Sequence, residues 1–371
     1  KTALSDGVGY FGNVEVGRDV TIAELQDIYD AIVLAVGAPR DRKLGIPGEN
    51  KTGVFGSADF VGWYNGHPDF TDLKPKLNTE TVVVIGQGNV AVDVARVLVK
   101  TPEEMTETDI ADHAADAIDA SPITDIHMIG RRGPIEAKFT NVELREMGKL
   151  ADCQPVINAA QLPDEVTGDW SDRDKRLKDR NLATMKEFLD ISPEDKSKRV
   201  HFSFYAKPVE ILGGDAVEGI RMENTKVEAG RSVGTGEFFE IECGLVIPAI
   251  GYFSDPFPGV PFDADNGIVI HDEGRVGDGI YAVGWIKRGP TGVIGTNKPD
   301  GDIAATQIFE DITGGAKPGR EALEALLEER SVPRLSFQDW LRIDEAEMAA
   351  AKPGAPRRKF VTIDTMIGAL N

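Results

Sequence analysis

The chain has 371 residues, enough for two domains of typical size, and 62 acidic against 41 basic side chains give a formal charge of −21. That charge argues against a nucleic-acid binder or a protein held on an anionic membrane, because phosphate surfaces would repel it. Apolar residues make up 41% and charged residues 28%, and the longest apolar runs, such as Ala31–Val36, are far too short to cross a bilayer. Two cysteines, Cys153 and Cys243, are too few and too far apart for a Cys-x-x-Cys pair, a metal site or an iron–sulfur cluster. They fit a reducing compartment, the cytoplasm. The first residue is Lys1, with no signal-peptide pattern behind it, so the chain is expected to begin inside a longer protein.

Taken in order, "YDAIVLAVGA" predicts a strand over Tyr29–Val36, buried on both faces and closed by Gly37. A short helix follows at Asp59–Tyr64. Thr81–Ile85 is a second buried strand, running into a glycine turn and a helix over Val90–Val99. Residues 102–121 read as an acidic helical insertion, Asp125–Ile129 as a strand, Glu143–Leu150 as helical, and 171–190 as a charged helix. The alternation from His201 to Ile250 predicts an antiparallel meander, with Leu245–Ile250 a continuous apolar strand at its end. Strand 279–284 leads through a glycine-rich turn to a helix over 301–312. Beyond residue 318 come an amphipathic helix and a polar loop, "KPGAPRRK". Parallel-type strands alternating with helices give an α/β class with an open, doubly wound sheet and an antiparallel β addition.

The strongest local signal is "TVVVIGQGNVAVDVAR". Gly86, Gly88 and Ala91 hold G-x-G-x-x-A spacing after a strand and at the opening of a helix. The first allows the tight turn, the second lets backbone approach a pyrophosphate, and the third lets helix and strand pack closely. The free N–H groups of the helix N-terminus then face the phosphates. The next strand ends in "HMIGRRG". Where an NAD site carries an acid for the ribose 2′-hydroxyl, Arg131 and Arg132 stand, which favours the 2′-phosphate of NADP. Arg131 lies 45 residues beyond Gly86 rather than about 20, and the helical insertion accounts for the excess. Asp93 and Glu146 have two readings, as helix-surface acids or as groups that orient a nicotinamide or handle a proton. The segment 282–309 also has two. It suits a flat heteroaromatic ligand, with Trp285 shielding one face and backbone N–H groups near Gly292–Ile294 bonding the ring. Equally, it is a tight turn with a packing tryptophan.

Together "FGNVEVGRDVT", "GWYNGHP", "GQGNVAVDVAR", "GRRGP" with "ELREM", and "GWIKRGPTGVIGTNK" resemble the adrenodoxin reductase family. These are NADPH–ferredoxin reductases on the disulfide-reductase double-Rossmann fold. The pieces run in order from Phe11 to Asn297, and "SFQDW" extends them into the tail. The resemblance implies two Rossmann-like domains: an FAD domain over 1–40 and 250–371, and an NADP domain over 41–249. It carries phosphate and ribose contacts onto Gly86, Gln87, Gly88, Asn89, Val90, Arg131, Arg132 and Glu143. It carries nicotinamide-side roles onto Asp93 and Glu146, and flavin contacts onto Gly37, Trp285, Gly292, Val293 and Ile294. The family's first G-x-G-x-x-G turn, which holds the FAD pyrophosphate, is not found upstream of Tyr29, so the FAD site is expected to be incomplete in this chain. The implied activity is transfer of electrons from NADPH through FAD to a ferredoxin-type iron–sulfur protein. A partner of that kind is acidic and calls for a locally basic face, and Arg145, Arg173, Lys175, Arg176, Lys178 and Arg180 are the expected one. A glutamate-synthase small-subunit-like reductase and an inactive NADP-binding protein share the fold and stand as alternatives.

Overall fold

The computed structural model describes residues 7–191, 196–292 and 294–371. It divides into two compact units: Lys1–Arg40, Gly251–Ala346 and Ile367–Asn371 form one, and Asp41–Ile250 with Glu347–Met366 the other.

The second unit is built on a five-stranded parallel sheet in the order Leu245–Pro248, Thr81–Ile85, Asp125–Ile129, Lys198–Ser203, Cys153–Ile157. Val82, Val83, Val84 and Leu245–Ile247 are fully buried, as expected where both faces of a parallel sheet are covered. One face carries the helices Ser57–Tyr64, Asn89–Val99 and Asn141–Met147, packed through Phe60, Trp63, Leu98 and Leu144 onto Val84, Met128 and Phe202. The other carries an antiparallel sheet of Ala206–Leu212, Gly219–Glu228 and Arg231–Glu242. Its Ile211, Ile220 and Met222 close onto Val83, Ile85 and Ile129. The returning segment Glu347–Met366 joins this unit by charge: Lys352 and Arg358 each reach Asp112 at 2.7 Å, and Lys359 reaches Asp109 at 3.3 Å.

Four expectations change. His201–Ser203 belong to the parallel sheet, in register with His127–Ile129, and the meander starts only at Ala206. Alternation alone does not distinguish a half-covered parallel strand from an antiparallel one. The strand Cys153–Ile157 was not anticipated, because Pro155 interrupts it; the strand lies at the sheet edge, where a missing N–H is tolerated. In the first unit, Tyr29–Val36 shortens to Ile32–Leu34. It pairs in parallel with Ile280–Ala282, which pairs antiparallel with Arg275–Gly277. Val33 is 43% exposed, so the strand is not buried on both faces. Its sheet has three strands among the described residues, and too little packs on it to cover both sides. The helix expected over 301–312 runs Ile294–Asp311, with Pro299 inside it. Among the described residues no helix is long and apolar enough to cross a membrane.

On the meander side of the parallel sheet, His127 and His201 stack with ring centroids 4.4 Å apart. His201 Nε2 lies 2.8 Å from Asp125 Oδ1, and Arg199 donates to both oxygens of Asp125. Burial, and then the neighbouring His201, pushes His127 down to about 4. An unfolded histidine titrates near 6.5, so the unfolded chain binds the extra proton first. Stability is therefore lost as pH falls from about 6.5 toward 4. Arg199 holds the Asp125 carboxyl well below the usual range, so its contribution persists through that window. The urea midpoint should fall between about pH 7 and pH 4.5, and His127→Asn should flatten the fall. An unaltered slope in that variant would remove His127 as the cause.

Candidate functional site

At the end of strand Thr81–Ile85 the chain turns through Gly86, whose N–H donates to the Ile129 carbonyl at 2.9 Å. A Cβ there would stand 2.3 Å from the Ala249 carbonyl oxygen, so the neighbouring strand end leaves room for glycine alone. Gly88 is different. Its backbone is extended, and nothing lies within 4 Å of where a Cβ would be. The protein itself does not require glycine at that point; an approaching ligand would. Gly88 caps the helix Asn89–Val99 without a side-chain bond, and no acid occupies the first turn. The Gly88 carbonyl accepts from Val92 N–H at 3.2 Å, which leaves the N–H groups of Asn89, Val90 and Ala91 without intrahelical acceptors. Ala91 is fully buried, and Asn89 Oδ1 accepts from the Thr140 N–H at 2.7 Å. An uncapped, acid-free helix start above open space is suited to phosphate.

Gln87 ties the strand ends together. Its Nε2 donates to the Met128 and Ser203 carbonyls at 2.9 and 3.2 Å, while its Oε1 is buried with no partner among the described residues. The Arg131–Arg132 turn is fixed through its backbone, with Gly130 N–H donating to the Ser203 carbonyl at 2.9 Å. Gly130 O accepts from Ala206 N–H at 3.1 Å, Arg131 O from Thr225 Oγ1 at 2.8 Å, and Arg132 O from Tyr205 N–H at 3.1 Å. The meander thus holds the backbone and leaves both side chains free. Arg131 is exposed, and neither guanidinium makes an ion pair or hydrogen bond among the described residues. Two unpaired guanidiniums in so acidic a chain present a site for an anion.

Asp93 and Glu143 meet at Arg96. A single Arg96 nitrogen lies 2.7 Å from Asp93 Oδ1 and 3.2 Å from Glu143 Oε2. Burial raises the Asp93 carboxyl above its usual value, Arg96 opposes this, and Glu143 adds to it. Glu146 is placed apart from that pair: it is bonded to Lys149 at 2.7 Å, which lowers its carboxyl first among several causes. Sequence reasoning missed Arg96, although its spacing of three from Asp93 on a helix was a usable signal.

Residues expected near a flat ligand lie in the first unit. Gly37 has φ +70° with open space at its Cβ position, and its carbonyl accepts from Ser254 Oγ at 2.6 Å. Trp285 opens a short helix, its ring 6.2 Å from that of Tyr252, and its Nε1 is buried without a partner. Gly292 has φ +85°, Ile294 begins the helix to Asp311, and Val293 lies outside the described residues. Arg288 bonds Asp300 and Asn297, and Gly284 N–H donates to Asp300 Oδ2 at 3.0 Å, which fixes the turn below. A buried indole N–H with no partner among the described residues suits a heteroaromatic cofactor with ring acceptors.

Comparison with known proteins agrees in both units. Residues 10–128 match the pyridine nucleotide-disulphide oxidoreductase family. The chain is 41% identical over 392 residues to the mitochondrial NADPH:adrenodoxin oxidoreductase of Bos taurus, covering 99% of this chain and 79% of the relative. It is 39% identical over 385 residues to the NADPH-ferredoxin reductase FprA of Mycobacterium tuberculosis, covering 99% and 84%. The solved structure of FprA in complex with NADPH superimposes with a TM-score of 0.89 at 37% identity, covering 98% of this chain and 84% of that one.

Gly88→Asp should separate folding from binding. A carboxylate at this N-cap suits the helix start, so thermal stability should hold or rise. The same charge would face the incoming phosphates, so affinity for NADP+ in calorimetric titration should fall at least about tenfold, or about 1.4 kcal/mol. Unchanged affinity would place the phosphates elsewhere.

Proposed function

The chain belongs to the adrenodoxin reductase family of FAD- and NADPH-dependent ferredoxin reductases, and we propose how its own residues carry that electron transfer. The observation that carries the reading is the pair of unpaired guanidiniums, Arg131 and Arg132, at the strand end beside an uncapped helix N-terminus.

The second unit is the NADP domain in this reading. Gly86, Gln87, Gly88, Asn89 and Val90 cradle the pyrophosphate, the helix amides donating to it. Arg131 and Arg132 take the 2′-phosphate with planar, bidentate donors. Glu143 accepts from the ribose, and Asp93 and Glu146 stand on the nicotinamide side. The first unit holds the flavin through Gly37, Trp285, Gly292, Val293 and Ile294. FAD, when bound, accepts an electron pair from NADPH and releases electrons singly, which is chemistry the cofactor supplies. The chain's own part is to bind, orient and set the electrostatics. Both cysteines are free and buried, their thiols pushed up to about 12 by burial, which supports a reducing compartment such as the cytoplasm.

For the iron–sulfur partner, the basic face narrows to four residues. Lys175 is paired with Asp179 at 2.9 Å, and Lys178 donates to the Ile135 carbonyl at 2.6 Å while lying over the Trp170 ring. Arg173, Arg176 and Arg180 share one face of the helix Asp172–Glu187 with exposed Leu177. Arg145 stands three residues from Val142, which is 71% exposed. Exposed arginines interleaved with apolar side chains suit an acidic partner.

Replacing Arg131 and Arg132 by Gln should weaken NADP+ far more than NAD+, by roughly 1.5–3 kcal/mol for each charge-assisted bond lost. Equal losses for both coenzymes would sink the assignment. Charge reversal at Arg145 and Arg176 should slow association of the holoenzyme with a ferredoxin and flatten its salt dependence, with NADP+ affinity unaltered. An unchanged rate and salt slope would move the docking face elsewhere.

A further inference from the structure

We propose that Tyr205 is a positioning residue for coenzyme choice: held in a left-handed backbone conformation against the Arg131–Arg132 turn, it fixes that turn and so sets the preference for a coenzyme that carries a 2′-phosphate. The proposal rests on the reading of the second unit as the NADP(H) domain, with both arginines at the 2′-phosphate.

Tyr205 stands between the strands Lys198–Ser203 and Ala206–Leu212, with φ +57°. Glycine adopts that region freely, whereas a residue with a side chain is strained there. Such a residue persists where its surroundings hold it, and here hydrogen bonds on both sides do so. Tyr205 N–H donates to the Arg132 carbonyl and Ala206 N–H to the Gly130 carbonyl, each at 3.1 Å. Along an extended strand successive N–H groups point to opposite sides. The left-handed step turns both toward one place. The Tyr205 carbonyl accepts from Thr225 N–H at 2.7 Å, and the buried Thr225 hydroxyl donates to the Arg131 carbonyl at 2.8 Å. Gly130, Arg131 and Arg132 are therefore all held by Tyr205, by the residue after it and by the threonine bonded to it.

The ring acts on the same turn. A Cβ at Gly133 would lie 2.3 Å from the Tyr205 hydroxyl oxygen and 2.7 Å from the ring carbon that bears it. Gly133 has φ −79°, which any residue adopts, so the glycine there answers to the ring rather than to the backbone. The hydroxyl makes no hydrogen bond among the described residues, so the ring works by contact.

Neither guanidinium has a partner among the described residues, so the order of the two side chains comes from the backbone that carries them. A turn held in one shape presents both to the same anion. A loose turn must be ordered when the ligand arrives, which costs affinity. Only a 2′-phosphate meets these arginines. Loosening them therefore weakens NADP+ and spares NAD+, because the pyrophosphate turn is fixed separately, by Gln87 and by the approach of Gly86 to Ala249.

The test is calorimetric titration of the chain with NADP+ and with NAD+, read as the ratio of the two affinities. Tyr205→Gly permits the left-handed step without strain but removes the ring and frees the backbone. It should lower the ratio at least about fivefold, almost entirely through NADP+. Thr225→Val removes one bond to the turn and should lower the ratio about threefold to tenfold; it carries the test if Tyr205→Gly does not fold. Tyr205→Phe keeps the ring and should keep the wild-type ratio. In a chain that also carries Arg131→Gln and Arg132→Gln, Tyr205→Gly should change nothing further, since it acts only through the arginines. An unchanged ratio in Tyr205→Gly, or equal losses for both coenzymes, would overturn the proposal. So would a loss that persists without the arginines, or a phenylalanine variant as impaired as the glycine one. The underlying reading fails separately, if Arg131→Gln with Arg132→Gln leaves the wild-type ratio in place.

Discussion

The close approach of Gly86 to the Ala249 carbonyl sets the geometry on which the second unit depends. With 2.3 Å between that oxygen and the place of a side chain, the strand must turn there without one. The turn delivers the helix Asn89–Val99 directly above the ends of the strands, its amides uncapped and Ala91 pressed into the core. Gln87 then bonds the carbonyls of Met128 and Ser203, so three strand ends and one helix start are held together. The packing leaves these helix amides unsatisfied within the helix, which is what the proposed phosphate site needs.

The meander serves the same end from the other face. Its backbone and Thr225 take up the carbonyls of Gly130, Arg131 and Arg132, and its apolar face closes on Val83, Ile85 and Ile129. Fixing a turn through its carbonyls keeps guanidiniums out of internal ion pairs. In a chain of charge −21, two arginines without an ion pair at one turn make a local basic spot. Asp112 shows the alternative outcome, drawing both Lys352 and Arg358 onto one carboxylate.

The surface cations thus divide into paired and unpaired groups. Lys352, Arg358 and Lys359 of the returning segment pair with the acidic insertion, Arg357 with Glu347 and Lys175 with Asp179, whereas Arg145, Arg173, Arg176 and Arg180 keep no ion pair among the described residues. Exposed pairs of this kind contribute little to stability, and their main effect is on which cations stay unpaired.

The dinucleotide turn was legible in the sequence because everything that defines it is local. Strand, glycines and helix lie within sixteen residues, and their periodicities change at Gly86. The arginine turn was legible once the helical insertion was recognised as such. The edge strand Cys153–Ile157 was hidden by Pro155, and the half-covered strand Lys198–Ser203 carries an alternation that parallel and antiparallel pairing share. The meeting of Asp93 and Glu143 at Arg96 had no sequence signature either, because Glu143 stands 47 residues beyond Arg96 and only the packing of two helices brings them together. By itself, then, the sequence determined the fold class, the glycine turn and the place of the two arginines at the next strand end, where short-range sterics suffice. Which cations stay free, and which acids share one, was decided by the tertiary structure, because ion pairing depends on distances of a few ångströms between residues far apart in the chain.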